Sequence, residues 1–519
     1  MKPRKYLLNI INMHRMLRSL AILTATLWLS GCKSTQVTTP VVTDDGILEC
    51  TLIQLNDVYE IAPLSGGKYG GMARVSYVVD SIRVQQPNTL LFMAGDFLNP
   101  SLLGTVKYEG ERIAGKQMIE VMNAMDFDLV TFGNHEFDLS AADLQKRLDL
   151  SEFQWMSSNT FLKQDGEAIP FPTGKSTAAF TYTFDLEDDD GTRLPLGFFG
   201  VTLNSNPQPY VFYGEPMSYA QQAVNQLKEQ GAVPIGLTHL ALEQDKELAR
   251  LLGDVPLIMG GHEHNNMLVE VGNTKIAKAD ANAKTIYIHH LQYNAKQKRL
   301  VIDSELFPID ETTPSDPEVE AIVARWNEVL NEEIKTVIDN PNQVIYEANP
   351  PLDGTDSASR GVQTNLGNII TEAMVLSFTH NVDGALVNGG SIRIDDMLVG
   401  PITSMDVFRV LPFGGGVLKV EMKGSLLIET LDYGVSKRGT GAYLQRAYID
   451  KNAQGEWTLR DEVIAAHKVY TIAVSDFLMK GYDIPFLTPD HPGVISVYEP
   501  EPSEVAYDIR KAIIQYLQK

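Results

Sequence analysis

Gly133-Asn134-His135-Glu136-Phe137-Asp138 follows the apolar run Asp128-Leu129-Val130-Thr131-Phe132. The run has the length and composition of a short buried strand. The glycine ends it and gathers Asn, His, Glu and Asp into one tight loop. Asn134 offers a neutral oxygen ligand. His135 can give or take a proton, and Asp138, three residues on, can fix which ring nitrogen carries it.

Four other stretches have the same build. Thr51–Leu55 runs into Asn56-Asp57-Val58-Tyr59, and Thr89–Ala94 into Gly95-Asp96. Val233–Thr238 runs into His239, and Val255–Met259 into Gly260-Gly261-His262-Glu263-His264. Each places a candidate ligand just past the carboxyl end of an apolar strand, the edge at which open α/β sheets build their sites. Asp57, Asp96, Asn134, His239, His262 and His264 mix hard oxygens with imidazoles. That set suits Zn, Mn, Fe or Co better than an all-oxygen Mg or Ca cage.

Farther along stand Arg360-Gly-Val-Gln-Thr-Asn-Leu-Gly-Asn368, Asn388-Gly-Gly-Ser-Ile-Arg393, Leu411-Pro-Phe-Gly-Gly415 and Asp476-Phe477-Leu-Met-Lys-Gly-Tyr-Asp483. Arg360 and Arg393 carry forked donors for phosphate oxygens. Gly390 lets backbone approach a ligand closely. Phe413 and Phe477 lie on separate loops and could stack a flat base. Asp483 could accept from ribose hydroxyls, and Asn388 completes the polar set.

With these residues in view, the chain resembles the calcineurin-like metallophosphoesterases, and among them the bacterial 5′-nucleotidase/UDP-sugar hydrolase proteins. The resemblance implies an α/β protein with an N-terminal two-sheet sandwich domain, a linker helix and a smaller mixed α/β nucleotide-binding domain. It implies two divalent metal ions, with Asp96 as their shared ligand. Asp57 and His264 would complete one site; Asn134, His239 and His262 would complete the other. His135 would protonate or stabilise the leaving oxygen, with Asp138 orienting it. The substrate would be a small nucleotide held by Arg360, Asn388, Gly390, Arg393, Phe413, Phe477 and Asp483. Hydrolysis of a UDP-sugar or a cyclic nucleotide, or nucleotide binding with weakened catalysis, are the alternatives.

The chain departs from this family at three positions. Tyr59 stands where relatives have a His ligand of the first metal, and a phenol with a pKa of about 10 is a poorer ligand at neutral pH. Asp356 stands where close relatives carry a second Arg, and Tyr482 where a Gly usually precedes the ribose-binding Asp.

The division expected along the 519 residues is a lipoprotein signal (1–32), a tether (33–46), the phosphoesterase domain (47–312), a linker (313–339) and the C-terminal domain (340–519). Lys2, Arg4, Lys5, Arg15 and Arg18 precede an apolar run, Leu20–Leu29, and then Leu29-Ser30-Gly31-Cys32. The run is well short of the roughly 20 apolar residues that a span needs. It reads as a secretory signal ending in a lipobox, with Cys32 lipidated. Met13 or Met16 are alternative starts. The protein is then expected to be exported and anchored to the membrane through Cys32, by default at the outer membrane. Cys50, left without a partner, reads as a buried thiol.

The linker is announced by Ser315-Asp316-Pro317-Glu318, at the spacing of a capping box with Pro in the first turn. Val319, Ile322, Val323, Trp326, Val329, Leu330, Ile334 and Val337 continue it with helical periodicity. Adjacent His289 and His290, in a strand, point to opposite faces and are poor partners for one metal. The formal net charge is −23, and removing residues 1–31 takes away five bases and no acids. Such a surface excludes nucleic acid polymers as partners.

Overall fold

The computed structural model describes residues 44–519 apart from 206, 336 and 380. The signal, Cys32 and nearly all of the tether lie outside the described residues. No helix among the described residues is long and apolar enough to cross a membrane.

The N-terminal domain is built on two six-stranded sheets. In the first, Ile47–Leu55, Thr89–Ala94, Leu129–Thr131 and Gln154–Met156 run parallel, and Thr285–Asn294 and Arg299–Pro308 close one edge as an antiparallel hairpin. In the second, Arg193–Phe199, Val233–Thr238, Leu257–Gly260 and Thr274–Lys278 run parallel, flanked by Thr181–Glu187 and Met267–Val271. The inner faces meet in one core. Leu48, Leu52, Phe92 and Leu129 from the first sheet pack with Leu196, Phe198, Ile235, Leu237 and Met259 from the second. Strands buried on both faces carry near-continuous apolar runs, as these do. Cys50 is a buried free thiol in this core, and burial pushes its pKa up to about 12.

Helices cover the outer faces. Met72–Gln85 and Lys116–Ala124 lie over the first sheet, Pro216–Glu229 and Leu242–Leu252 over the second. The strand that carries His289 and His290 runs from Thr285 to Asn294, its more polar half held in the sheet by pairing with Arg299–Pro308. His289 and His290 do face opposite ways: His289 is buried and His290 exposed. His289 pairs with Gln54 Oε1 at 3.0 Å and Ser304 Oγ at 2.9 Å. Burial, and then Lys275, push its pKa down to about 3. It is a neutral structural histidine.

The linker helix spans Pro317–Lys335 and buries Val319, Val323, Trp326, Leu330 and Ile334. Its N-cap is Asp316, not Ser315 at the capping-box position. Asp316 Oδ1 accepts from the amides of Glu318 and Val319 at 3.1 and 2.9 Å. Aspartate is as good a cap as serine and sits one residue closer to Pro317, which then occupies the first helical position.

The C-terminal domain holds a mixed sheet in the order Leu444–Ala447, Gly384–Asn388, Val469–Ser475, Val417–Lys423, Val494–Tyr498. Asn365–Leu376 packs on it, capped by Thr364 Oγ1, which accepts from the Gly367 amide at 2.9 Å. This domain docks on the ligand-bearing loops of the first. Arg409, held by Asp406 at 3.0 Å, lies 3.7 Å from Glu60, Lys284 pairs with Asp396, and His264 meets Asp395.

Candidate active site

Every expected ligand loop leaves the carboxyl end of a parallel strand, and the two sheets deliver the loops to one place. Ligand atoms of Asp57, Asp96 and His239 all lie within 4.8 Å of one another, and all three residues are buried. Asp57 (φ 53°), Asp96 (φ 57°) and His262 (φ 83°) adopt left-handed backbone, which costs about 1–3 kcal/mol each and persists only where the surroundings impose it. Close approach of the loops explains two glycines. A Cβ on Gly133 would sit 2.0 Å from Asp96 Oδ1, and one on Gly261 would sit 2.4 Å from the Ala94 carbonyl oxygen.

The hydrogen bonds leave a buried atom of Asp57, of His239 and of Asn134 without a partner. Asp57 Oδ2 accepts from Asn56 Nδ2 at 2.8 Å and from the His262 amide at 2.9 Å, while Oδ1 has no hydrogen-bond donor. His239 donates Nδ1 to the Ala94 carbonyl at 2.7 Å, turning Nε2 toward Asp96 Oδ2 at 3.0 Å and Asp57 Oδ1 at 3.9 Å. Asn134 Oδ1 is likewise buried without a donor. Orphaned acceptors and an imidazole nitrogen at the centre of a buried site would be costly unless a cation bound there. The donor set therefore fits divalent metal ions of the kind expected. His262 stands against His239, ring centroids 5.6 Å apart.

The electrostatics fit as well. Burial alone would lower the pKa of His239, but Asp96 and Asp57 outweigh it and raise the value to about 9. For His262, burial and then His239 push it down to about 4. Asp96 is held well below the usual carboxylate range, because His239 and His135 overcome its desolvation.

His135 is not among the inward-facing ligands. Its Nδ1 pairs with Asp138 Oδ2 at 2.8 Å, and its backbone amide donates to Asp96 Oδ1 at 2.8 Å. Tyr59 points into the site, with its Oη 3.3 Å from Asp96 Oδ2 and 3.1 Å from His264 Nε2. Burial, and then Asp96 and Asp57, hold its phenol well above the ordinary value.

Two supporting residues were not singled out from sequence. The Glu136 carboxylate accepts from the amides of Gly133, Asp96, Phe97 and Leu98 at 2.6, 2.8, 2.7 and 3.0 Å, tying two ligand loops together. Lys278 is fully buried. It donates to the carbonyls of Leu240 and Gly261 at 2.6 and 2.8 Å and pairs with Asp245 and Glu263. Its only sequence signal is a lysine closing the strand Thr274–Lys278.

In the C-terminal domain the expected substrate-binding residues stand in local pairs. Asn388 Nδ2 donates to Asp483 Oδ2 at 2.7 Å. Gly390 passes so near Gly441 that a Cβ would sit 2.8 Å from its Cα. The Arg393 guanidinium stands 5.7 Å from the centroid of the Phe413 ring. Phe413 is 58% exposed and Phe477 37%, high for phenylalanine and open to a stacking partner. Tyr482 packs on Phe477 at 5.8 Å between centroids. Arg360 is engaged by Asp356, Nη2 to Oδ2 at 2.6 Å, a pairing that partly neutralises its charge.

Comparison with known proteins agrees with this architecture. Residues 50–266 match the calcineurin-like phosphoesterase family and residues 344–488 the 5′-nucleotidase C-terminal domain. A 5′-nucleotidase of Bos taurus is 28% identical over 80% of this chain and 78% of its own. The trifunctional nucleotide phosphoesterase protein YfkN of Bacillus subtilis is 26% identical over 85% of this chain, which spans only 32% of that protein. In fold, the chain is similar to a 5′-nucleotidase precursor from Thermus thermophilus, with a TM-score of 0.66, 23% identity, and 91% and 96% of the two chains covered. The chain is a calcineurin-like metallophosphoesterase domain fused to a 5′-nucleotidase C-terminal domain.

Proposed function

We propose that this protein is a two-metal hydrolase of nucleotide phosphoesters, of the 5′-nucleotidase type, releasing nucleoside and phosphate. The observation that carries the reading is the convergence of Asp57, Asp96 and His239, with Asp57 Oδ1 and His239 Nε2 buried and without hydrogen-bond partners. Asp57, Asp96 and His264 would hold one ion; Asp96, Asn134, His239 and His262 would hold the other. Such ions act as Lewis acids toward phosphoryl oxygens and toward water. His135 gives a proton to the leaving oxygen, and Asp138 keeps the other ring nitrogen protonated and the ring in place. Arg360 and Arg393 bind the phosphate, Phe413 and Phe477 stack the base, and Asp483 with Asn388 takes the ribose. The two domains close over the substrate and exclude water from it.

The sequence before residue 44 supports export and anchoring through a lipid on Cys32, which brings the enzyme to nucleotides at the cell envelope. The test is metal analysis of the purified protein, with phosphate release measured on AMP, a UDP-sugar, a cyclic nucleotide and an aryl phosphate. Two metals per chain and turnover of AMP are expected. A protein that binds nucleotide but releases no phosphate from any of the four would overturn the hydrolase reading.

A further inference from the structure

The first metal site lacks one expected imidazole, because Tyr59 stands in its place. The C-terminal domain brings a carboxylate to the same spot. Asp395 Oδ2 lies 3.4 Å from His264 Nε2, and Asp57 Oδ1 lies 3.5 Å from the same nitrogen. Two ligands of one metal, each about 2.0–2.2 Å from it, stand no more than about 4.4 Å apart. Each of these two pairs around His264 satisfies that limit, and the Asp395 carboxylate also lies within 4.8 Å of ligand atoms of His135 and Asp356. Asp57 Oδ1 is fully buried, has no hydrogen-bond donor, and aims into this space.

Asp395 also acts through its backbone. Its carbonyl oxygen accepts from His264 Nδ1. That bond puts the ring proton on Nδ1 and leaves the Nε2 lone pair facing Asp57, Asp395 and the Tyr59 hydroxyl, which an arriving ion would displace from it. Asp395 is held at φ 41°, in the left-handed region that favours glycine. The next residue, Asp396, pairs with Lys284 of the N-terminal domain and fixes the loop against it. Asp395 Oδ1 accepts from the Asp356 amide at 2.7 Å, which leaves Oδ2 for the site.

We propose that Asp395 is a ligand of the first metal, supplied by the C-terminal domain in place of the imidazole that Tyr59 displaces, so that the ion itself joins the two domains in the closed state. The inference rests on the two-metal reading above. It makes closure dependent on metal. It also means that the carboxylate must withdraw, or share its ion, when substrate phosphate enters.

Metal content after dialysis and chelator titration should be compared for the wild type, Asp395→Asn and Asp396→Asn. Two ions are expected in the wild type. Asp395→Asn should bind one of them about tenfold or more weakly, and Asp396→Asn should keep both. In the wild type, a distance measured between spin labels on the two domains should lengthen when chelator strips the metal, a readout that holds even if Asp395→Asn folds poorly. Asp395→Asn binding both ions as tightly as wild type would overturn the assignment. So would equal loosening in both variants, which would make the loop contact and not the carboxylate responsible, or closure indifferent to chelator. A wild type that binds no metal would overturn the hydrolase reading as well, which separates the two failures.

Discussion

The phenol of Tyr59 lies 3.3 Å from the carboxylate of Asp96, the residue proposed as the ligand shared by two metals. Its hydroxyl is thus a hydrogen-bonding neighbour of the metal ligands, held protonated by burial and by the charges of Asp96 and Asp57. Replacing it by Tyr59→His should restore a nitrogen ligand. The first metal should then be held about tenfold or more tightly, with kcat unchanged or raised. Chelator competition measures the affinity. An iron-loaded wild type with a purple or red phenolate absorption band would show instead that Tyr59 itself ligates.

The second prediction concerns pH. Burial lowers the pKa of His135, but Asp96 and Asp138 outweigh it and raise the value to about 10, above an ordinary 6.5. A raised histidine keeps its proton as pH climbs through neutrality and loses it only near the raised value. The acid form therefore persists at pH 7–8, and the alkaline limb of kcat should lie well above 6.5. Bound metals offset the charge of Asp96, so the limb falls below 10. Asp138→Asn removes one of the groups that raise the pKa and should move the limb to lower pH, with metal content unchanged. A pH profile on AMP reads this directly. The effect should shrink on an aryl phosphate, whose leaving group needs little protonation.

The third concerns the base. Phe413 is exposed beside Arg393 and contributes little to any core. Stacking a base is worth about 1–3 kcal/mol, so Phe413→Ala should raise KM for AMP about tenfold or more. Turnover of a small aryl phosphate should hardly change. Equal loss on both substrates would mean that the ring supports the fold.

The ligand loops were legible because each is a local event: an apolar strand, a stop, and a ligand within two or three residues. Asp57, Asp96, Asn134, His239 and His262 could be read in that way, and the sandwich follows from the same runs. Asp395 could not. It meets His264 across 131 residues of sequence, and only docking of two domains brings them together. Lys278 was hidden for the opposite reason. A lysine is read as solvated, and nothing near it announces that Asp245 and Glu263 will be folded against it. The capping aspartate of the linker was missed by one residue, because serine and aspartate cap equally well and the pattern admits either.

Lys278 supports the last prediction. It is fully buried between Asp245, 2.8 Å away, and Glu263, and its ammonium also serves the carbonyls of Leu240 and Gly261, which flank His239 and His262. Lys278→Met removes the cation and strands the Asp245 carboxylate, itself fully buried. Breaking a buried pair in this way costs about 3–5 kcal/mol. Glu263 is 27% exposed and can turn toward water, so Asp245 carries most of the penalty. Adding Asp245→Leu should therefore recover much of the stability, since an apolar replacement of a whole buried pair is often nearly neutral. It should not recover metal affinity, because the carbonyls of Leu240 and Gly261 still lack their shared donor and the two histidine loops stay loose. Chemical denaturation would follow the first effect and chelator titration the second. Recovery of both together in the double variant would mean that Lys278 serves the fold alone and does not position the metal ligands.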